Sequence, residues 1–136
     1  MTHQFFNAKL FLAIFVGFLL SCNFNSKTEP NPSIRSAEEL EQTGFDLYKK
    51  DPNLAIPIFK QSALKYKQAK NLKKAAITNL NVSNIYDEHL NDVDSALVYA
   101  HKSLQIWKLE SDSMQMANLY KYVCLLYTSP SPRDRG

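Results

Sequence analysis

Glycine and cysteine are scarce in this sequence, whose 136 residues include three glycines and two cysteines. Without a glycine-rich stretch, the chain has no loop of the kind that holds a nucleotide phosphate at the start of a helix. No serine or cysteine stands in a pattern that pairs a nucleophile with a base. The sequence therefore gives no sign of catalysis, and we expect neither an enzyme nor a bound cofactor.

Histidine is also rare, and only His89 and His101 follow the apolar N-terminal segment. Neither has a second metal ligand at a helical step. Asp87 and Glu88 are too near to His89 in sequence to share its face of a helix. The sequence therefore predicts no metal site.

The chain does contain a clear helical pattern, which is most complete in residues 71–110. This stretch divides into two helix-length segments, in which apolar and small residues recur at steps of three and four. These residues are Leu72, Ala76, Leu80, Ser83 and Tyr86 in the first segment and Ala96, Ala100, Ser103, Leu104 and Trp107 in the second. Between the segments, Asn91 and Asp92 supply turn and helix-capping side chains. The stretch is predicted to be one helix-turn-helix unit.

A second copy of this unit precedes the first. Residues 52–67 align with residues 93–108 at an offset of 41, and the helices before them align at an offset of 39. The matched small residues are Ala55 with Ala96, Ser62 with Ser103, Ala37 with Ala76 and Gly44 with Ser83. Small side chains at these positions let two helices approach closely. The chain is therefore built from repeats of about forty residues.

The segments Asn81 to Tyr86 and Ala96 to Leu104 resemble the two helices of a tetratricopeptide repeat. The resemblance covers residues 34–123 and implies an all-α solenoid of antiparallel helix-turn-helix repeats. The repeats would occupy residues 34–70 and 71–110, with a partial third at 111–123. We expect helices near 36–50, 53–69, 72–89, 94–109 and 114–123. The first would start at a capping box of Ser36 and Glu39, and Pro57 would bend the second or delay its start.

The resemblance also implies a binding surface, because in this family the first helix of each repeat lines a concave groove for a peptide or a partner's helix. The matching positions are Glu41, Phe45 and Tyr48 in the first repeat and Leu80, Asn84 and Asp87 in the second. The alternative for Phe45 and Leu80 is a place in the core. Asn84 and Asp87 are the stronger candidates, because polar residues on a helix that is otherwise buried need a reason.

Residues 1–21 have the pattern of a bacterial export signal. Lys9 precedes an apolar run of eleven residues, Leu10 to Leu20, which is too short to span a bilayer as a helix. Leu19-Leu20-Ser21-Cys22 resembles a lipobox, which implies that Cys22 becomes the first residue and carries lipid. The alternative is an ordinary secretory signal with an incidental cysteine. Several acyl chains at roughly 0.8 kcal/mol per buried methylene would hold the protein at the bacterial cell envelope, on the periplasmic side or at the outer membrane.

Two further segments flank the repeats. Residues 22–33 comprise the lipidated cysteine and a polar, proline-containing tether. At the other end, Cys124 to Asp134 resembles the in-frame translation of a sequencing-library adaptor, so we interpret residues 124–136 as an artefact. A natural Ser/Pro-rich tail is the alternative. The adaptor interpretation implies a gene fragment that ends near Val123, with about two and a half repeats that fold only marginally.

The basic character of the whole chain comes from its ends. Of 16 Lys and Arg, Lys9, Arg133 and Arg135 lie outside residues 22–123, as does Asp134 of 13 acidic residues, which leaves a net charge of +1. The one dense group of lysines lies between residues 49 and 74, mostly between the apolar stripes, and this stretch contains no arginine. We interpret it as a solvated helix face with at most weak attraction to acidic headgroups, and we expect no nucleic-acid partner.

Two functions are compatible with these features. The first is a membrane-anchored lipoprotein that acts as a protein-protein interaction scaffold through the groove of its helical repeats. The alternative is the N-terminal sensor region of a longer signalling protein, such as a histidine kinase or a transcriptional regulator. A membrane span further along the complete gene would favour the alternative. The lipobox argues mildly against it, because a spanning protein hardly needs a second anchor.

Overall fold

A computed structural model describes residues 31–128 as five helices joined by short turns. They are α1 (Pro32–Tyr48), α2 (Pro52–Gln68), α3 (Leu72–Glu88), α4 (Val93–Glu110) and α5 (Ser113–Thr128). Each helix packs antiparallel against the next one in the chain. The predicted all-α fold of helix-turn-helix units is confirmed. The predicted signal peptide, Cys22, most of the tether and residues 129–136 lie outside the described residues.

Every helix begins after an Asn or Asp side chain that accepts a hydrogen bond from an N–H of the first turn. The bonds run from Ser33 to Asn31, Leu54 to Asp51, Lys74 to Asn71, Ser95 to Asp92 and Gln115 to Asp112, over 3.0–3.3 Å. In three of the four turns, a residue with positive φ stands directly before the cap, namely Lys70, Asn91 and Ser111. The repeated turn has a physical basis: a left-handed residue ends one helix, and a side chain caps the next.

The expected start of the first helix at Ser36 is wrong, because α1 begins one turn earlier. Asn31 caps it, and Pro32 occupies the first turn, where its missing N–H removes no helical hydrogen bond. The additional turn lets Ile34 pack against a buried cluster that includes Ala37 and Tyr66. The sequence holds two start signals, and the earlier one is used because it adds this apolar contact.

Pro57 does not delay the start of α2, which begins at Pro52 and continues through Pro57. A proline at this position removes the hydrogen bond to the carbonyl of Asn53. Both Pro57 and Asn53 are exposed, so water can replace the missing donor.

Helix α5 is longer than expected, because it continues past Val123 to Thr128. Leu126 is 2% exposed and belongs to the same core cluster as Leu119 and Val123. An amphipathic sequence will extend a helix wherever its apolar side chains meet an available core. The adaptor interpretation concerns the origin of the codons for residues 124–136, and it stays a prediction.

Small residues fill the helix contacts, as the repeat pattern predicts. Ser83, Ala96, Ala100 and Ser103 are all completely buried. The hydroxyl of Ser83 donates to the carbonyl oxygen of Ala96 at 2.7 Å, which links α3 to α4. In the first unit, the hydroxyl of Ser62 donates to the carbonyl oxygen of Ala37 at 2.8 Å, which links α2 to α1. A serine at such a contact is short enough for close packing and adds a bond between the helices.

Ser103 occupies the position that Ser62 has in the first unit, yet its buried Oγ has no hydrogen-bond partner among residues 31–128. A buried unsatisfied hydroxyl costs about 1–3 kcal/mol. Ser103→Ala should therefore raise the free energy of unfolding by about 1 kcal/mol, whereas Ser62→Ala should lower it by about 1 kcal/mol. Urea denaturation followed by the fluorescence of Trp107, the one tryptophan of the chain, measures both. Changes of the same sign would contradict the prediction.

Candidate interaction surfaces

Contacts between alternate helices define two sides of the domain. The phenol of Tyr48 on α1 donates to Glu88 on α3 at 3.0 Å, and the hydroxyls of Ser83 on α3 and Tyr122 on α5 lie 3.3 Å apart. On the other side, the ammonium of Lys60 on α2 lies 4.9 Å from the ring centroid of Tyr99 on α4. Helices α1, α3 and α5 therefore adjoin along one side. We call this side, with Phe45, Tyr48, Leu80, Asn84, Asp87 and Tyr122, the first-helix face.

Glu41, the first of the six predicted groove residues, is buried and makes contacts with three other side chains. Its carboxylate accepts from the phenol of Tyr66 at 2.8 Å and from the hydroxyl of Thr78 at 3.3 Å. The ammonium of Lys74 completes the group at 3.0 Å. Only 8% of Glu41 is exposed, so its main role is to join α1, α2 and α3. A buried charge with this many partners meets the condition under which proteins tolerate one.

The surroundings of Tyr66 change the pKa of its phenol. Its side chain is completely buried. Burial raises the pKa of Tyr66 above its ordinary value, and the bond to the carboxylate of Glu41 raises it further. The phenol therefore stays protonated and keeps its donor role throughout the neutral pH range.

Phe45 and Tyr48 lie on the accessible part of α1. Phe45 is 49% exposed, and its ring meets that of Phe59 edge to face with centroids 5.1 Å apart. Tyr48 is half-buried, and its ring meets that of His89 edge to face at 4.7 Å. Phe45 is thus partly accessible, as a groove residue would be, and partly packed on the core, which was the alternative prediction for it.

The three predicted residues of α3 differ in their surroundings. Leu80 is half-buried and packs against the core cluster that contains Ala76 and Trp107. Asn84 and Asp87 are also half-buried, and the side chain of Asn84 makes no hydrogen bond to any of residues 31–128. Burial raises the pKa of Tyr122 on α5, the hydrogen bond with Ser83 lowers it by less, and the charge of Asp87 raises it again. The face therefore carries an amide that is free to bond and a carboxylate beside a phenol.

A second concave surface lies on the other side of the domain, and the sequence interpretation did not identify it. It is a groove of about 490 Å³ between α2 and α4, with α3 as its floor. We call it the second-helix groove. Its lining residues are Lys60, Ala63, Leu64 and Lys67 on α2, Ala75 and Asn79 on α3, and Tyr99, Lys102, Gln105 and Ile106 on α4. Spacing in the sequence could have indicated this groove, because the lining residues of each helix are three or four positions apart and therefore share one face of that helix.

Within the part of the chain that the structure describes, no group of His, Cys, Asp and Glu side chains could hold a metal ion. His89 and His101 are both exposed. No helix between residues 31 and 128 is long and apolar enough to cross a membrane.

Comparison with known proteins adds no assignment. The chain matches no protein-family model, no curated protein and no solved structure. Its five-helix all-α arrangement and the chemistry of its two surfaces are therefore the basis for a functional proposal.

Proposed function

We propose that the protein is a lipid-anchored scaffold of tetratricopeptide-like repeats that binds another protein through the first-helix face. The observation that carries the proposal is the alignment of α1, α3 and α5 along one side, with the unbonded amide of Asn84 near its middle. Stacked helical repeats present an extended surface that suits a peptide or a helix from a partner.

The side chains on this face supply the types of contact that protein interfaces use. Phe45 and Tyr48 offer aromatic surface that is only partly covered, and aromatic residues are frequent among those that dominate binding energy. Asn84 and Asp87 offer a donor, an acceptor and a negative charge, which can fix the orientation of a bound segment. A partner with an apolar side chain and a nearby basic group fits this combination.

Attachment to the membrane is the second part of the proposal, and the lipobox-like quartet that ends in Cys22 supports it. Acyl chains at Cys22 would place the repeats at the envelope surface, with residues 23–31 as a spacer between lipid and domain. The protein would then hold its partner near the membrane without a spanning helix of its own.

Site-specific photocrosslinking in the producing cells tests the binding surface. A benzophenone amino acid at Asn84 should crosslink a partner protein, whereas the same group at His101, which is exposed on α4, should not. Phe45→Ala with Asn84→Ala should weaken the affinity of that purified partner by about tenfold or more. Equal crosslinking from both positions would reject the first-helix face as the binding surface.

Metabolic labelling tests the anchor. Radioactive palmitate should label the wild-type protein, and Cys22→Ser should abolish the label, because only a thiol at this position can take the lipid. Cys124→Ser, which changes the other cysteine of the chain, is the matched control and should leave the label unchanged. A labelled Cys22→Ser protein would exclude the lipobox assignment.

A further inference from the structure

The second-helix groove carries positive charge that no acidic residue in the described part of the chain neutralises. Lys60 and Lys67 stand on its α2 wall and Lys102 on its α4 wall, and none of its lining residues is Asp or Glu. Helix α2 contains no acidic residue, and α3 has none before Asp87. Among residues 31–128, no Asp or Glu forms an ion pair with any of these three lysines. Their charges are therefore available to a ligand.

The ring of Tyr99 contacts two of these charged groups. The ammonium of Lys60 lies 4.9 Å from the centroid of the Tyr99 ring, and the ammonium of Lys102 lies 4.2 Å from it. The ring itself stacks on Tyr86 with centroids 5.7 Å apart, which fixes its position. The ammonium of Lys60 also donates to the hydroxyl of Tyr86 at 3.4 Å. Two ammonium groups near one ring repel each other, and anionic groups that pair with both would relieve that repulsion. Because the ammonium groups are positioned before binding, less conformational entropy is lost when the anionic groups bind.

The rest of the lining is apolar or uncharged, which favours a peptide over other anions. Leu64 is 60% exposed on one wall, and Ile106 is half-buried on the other. A volume of about 490 Å³ accommodates a few side chains. A flat membrane surface cannot enter such a groove. Phosphate-binding surfaces favour arginine, and none of the lining residues is arginine.

We propose that the second-helix groove binds an acidic peptide segment of a partner protein. Carboxylates of the segment pair with Lys60 and Lys102, and an apolar side chain beside them packs between Leu64 and Ile106. This site goes beyond the proposed function and does not rest on it. On α3, Asn84 follows Ala75 by nine residues, about two and a half turns, so the two residues face opposite sides of the helix.

Fluorescence anisotropy with a labelled Glu-Glu-Leu-Glu-Glu peptide tests the proposal on the full chain. We expect saturable binding that weakens as salt is added, because the attraction is electrostatic. The matched Gln-Gln-Leu-Gln-Gln peptide should bind at least about tenfold more weakly. Failure of the acidic peptide to bind would overturn the proposal, and so would equal binding of both peptides.

Paired lysine variants locate the site. Lys60→Gln with Lys102→Gln should weaken binding of the acidic peptide by about tenfold or more. Lys49→Gln with Lys50→Gln removes the same charge from exposed positions at the end of α1 and should change binding by less than about twofold. If melting shows that the first pair disturbs the fold, Lys67→Gln with Lys102→Gln tests the same groove, because Lys67 makes no hydrogen bond, ion pair or ring contact within residues 31–128. Equal losses from the groove and control pairs would show attraction by net charge alone and reject the site.

Two competing ligands complete the experiment. Phosphatidylglycerol vesicles and a single-stranded DNA oligonucleotide should not displace the labelled peptide from the wild-type protein. Displacement by either one, lost in the groove variants, would assign the groove to phosphate groups and overturn the peptide proposal. Phe45→Ala with Asn84→Ala should leave peptide binding unchanged, which separates this site from the first-helix face.

Discussion

Replacing Phe59 with alanine should lower the free energy of unfolding by about 3–5 kcal/mol. Phe59 is completely buried and lies in the cluster with Ala55, Ile56, Val82 and Ile85, at the junction of α2 and α3. Its ring also packs on the backbone of α1 at Gly44 and edge to face on Phe45. The substitution leaves a cavity bounded by three helices, and relaxation of one helix cannot fill it. Urea denaturation followed by the fluorescence of Trp107 measures the loss.

A substitution at Gly44 tests the packing of the Phe59 ring directly. A Cβ atom at Gly44 would lie 2.9 Å from two atoms of the Phe59 ring, and this side chain is completely buried. Gly44→Ala should therefore destabilise the wild-type protein by about 1–3 kcal/mol through overpacking. In the Phe59→Ala background the obstacle is gone, and the same change should stabilise the helix by up to about 1 kcal/mol, because alanine is the better helix former.

Phe59→Ala, Gly44→Ala and their combination form a double-mutant cycle, which measures the interaction between the two residues. A change of sign between the two backgrounds demonstrates a direct contact, because substitutions at independent sites add. If Gly44→Ala has the same effect in both backgrounds, the Phe59 ring does not require a glycine at position 44. In the second unit, the position aligned with Gly44 is Ser83, which has a Cβ atom, and the position aligned with Phe59 is Ala100, which has a smaller side chain.

The order of the helices and their contacts could be predicted from the sequence, because they depend on local spacing. Ala96, Ala100 and Ser103 recur at three- and four-residue steps, and such steps bury one stripe of a helix wherever that helix packs. The Asx residues between the stripes identified the turns. The errors concern two helix ends. The first helix is capped by Asn31 and not by Ser36, and the last helix extends far enough for Leu126 to pack in the core.

The burial of Glu41 could not be predicted in this way. Its partners Tyr66, Lys74 and Thr78 follow it by 25, 33 and 37 residues and come from two other helices. The resemblance to tetratricopeptide repeats implies that Glu41 lies on the side of α1 that binds a partner, but the rotation of α1 against α2 and α3 decides whether that edge is open. Charged residues are rarely buried, so the pattern alone favoured exposure.

The second-helix groove could not be predicted from the sequence, because it depends on how non-consecutive helices are arranged. Lys60 and Lys102 are 42 residues apart, and they meet at Tyr99 because α3 places α2 and α4 side by side. In the sequence, Lys60 and Lys67 belong to a lysine-rich stretch that is typical of a solvated face, and Lys102 lies far outside it. Only their shared contact with the ring of Tyr99 separates Lys60 and Lys102 from the other lysines.

Tyr66→Phe is the second substitution for which we expect a large effect, a loss of about 1.5–3 kcal/mol in the free energy of unfolding at neutral pH. The change removes the phenol that donates to Glu41 at 2.8 Å and leaves a buried carboxylate with one bond fewer. Tyr48→Phe is the matched control, because Tyr48 also donates to a carboxylate, that of Glu88, but in an exposed pair. It should cost less than about 1 kcal/mol. Equal losses from the two variants would contradict a special role for the buried network.

The same residue should make stability depend on pH in the alkaline range. The pKa of Tyr66 in the folded protein lies above its ordinary value of 10.0, first through burial and then through the bond to Glu41. The unfolded chain therefore releases the phenol proton first as the pH rises past about 10, and the stabilisation present below that pH is lost above it. Far-UV circular dichroism of urea unfolding should show a steeper alkaline decline for the wild type than for Tyr66→Phe. Tyr48 and Tyr122, whose pKa values are also raised by burial, remain in both proteins, so the difference between the two declines isolates Tyr66. Parallel declines would show that the phenol of Tyr66 is no harder to ionise in the folded protein than in the unfolded chain.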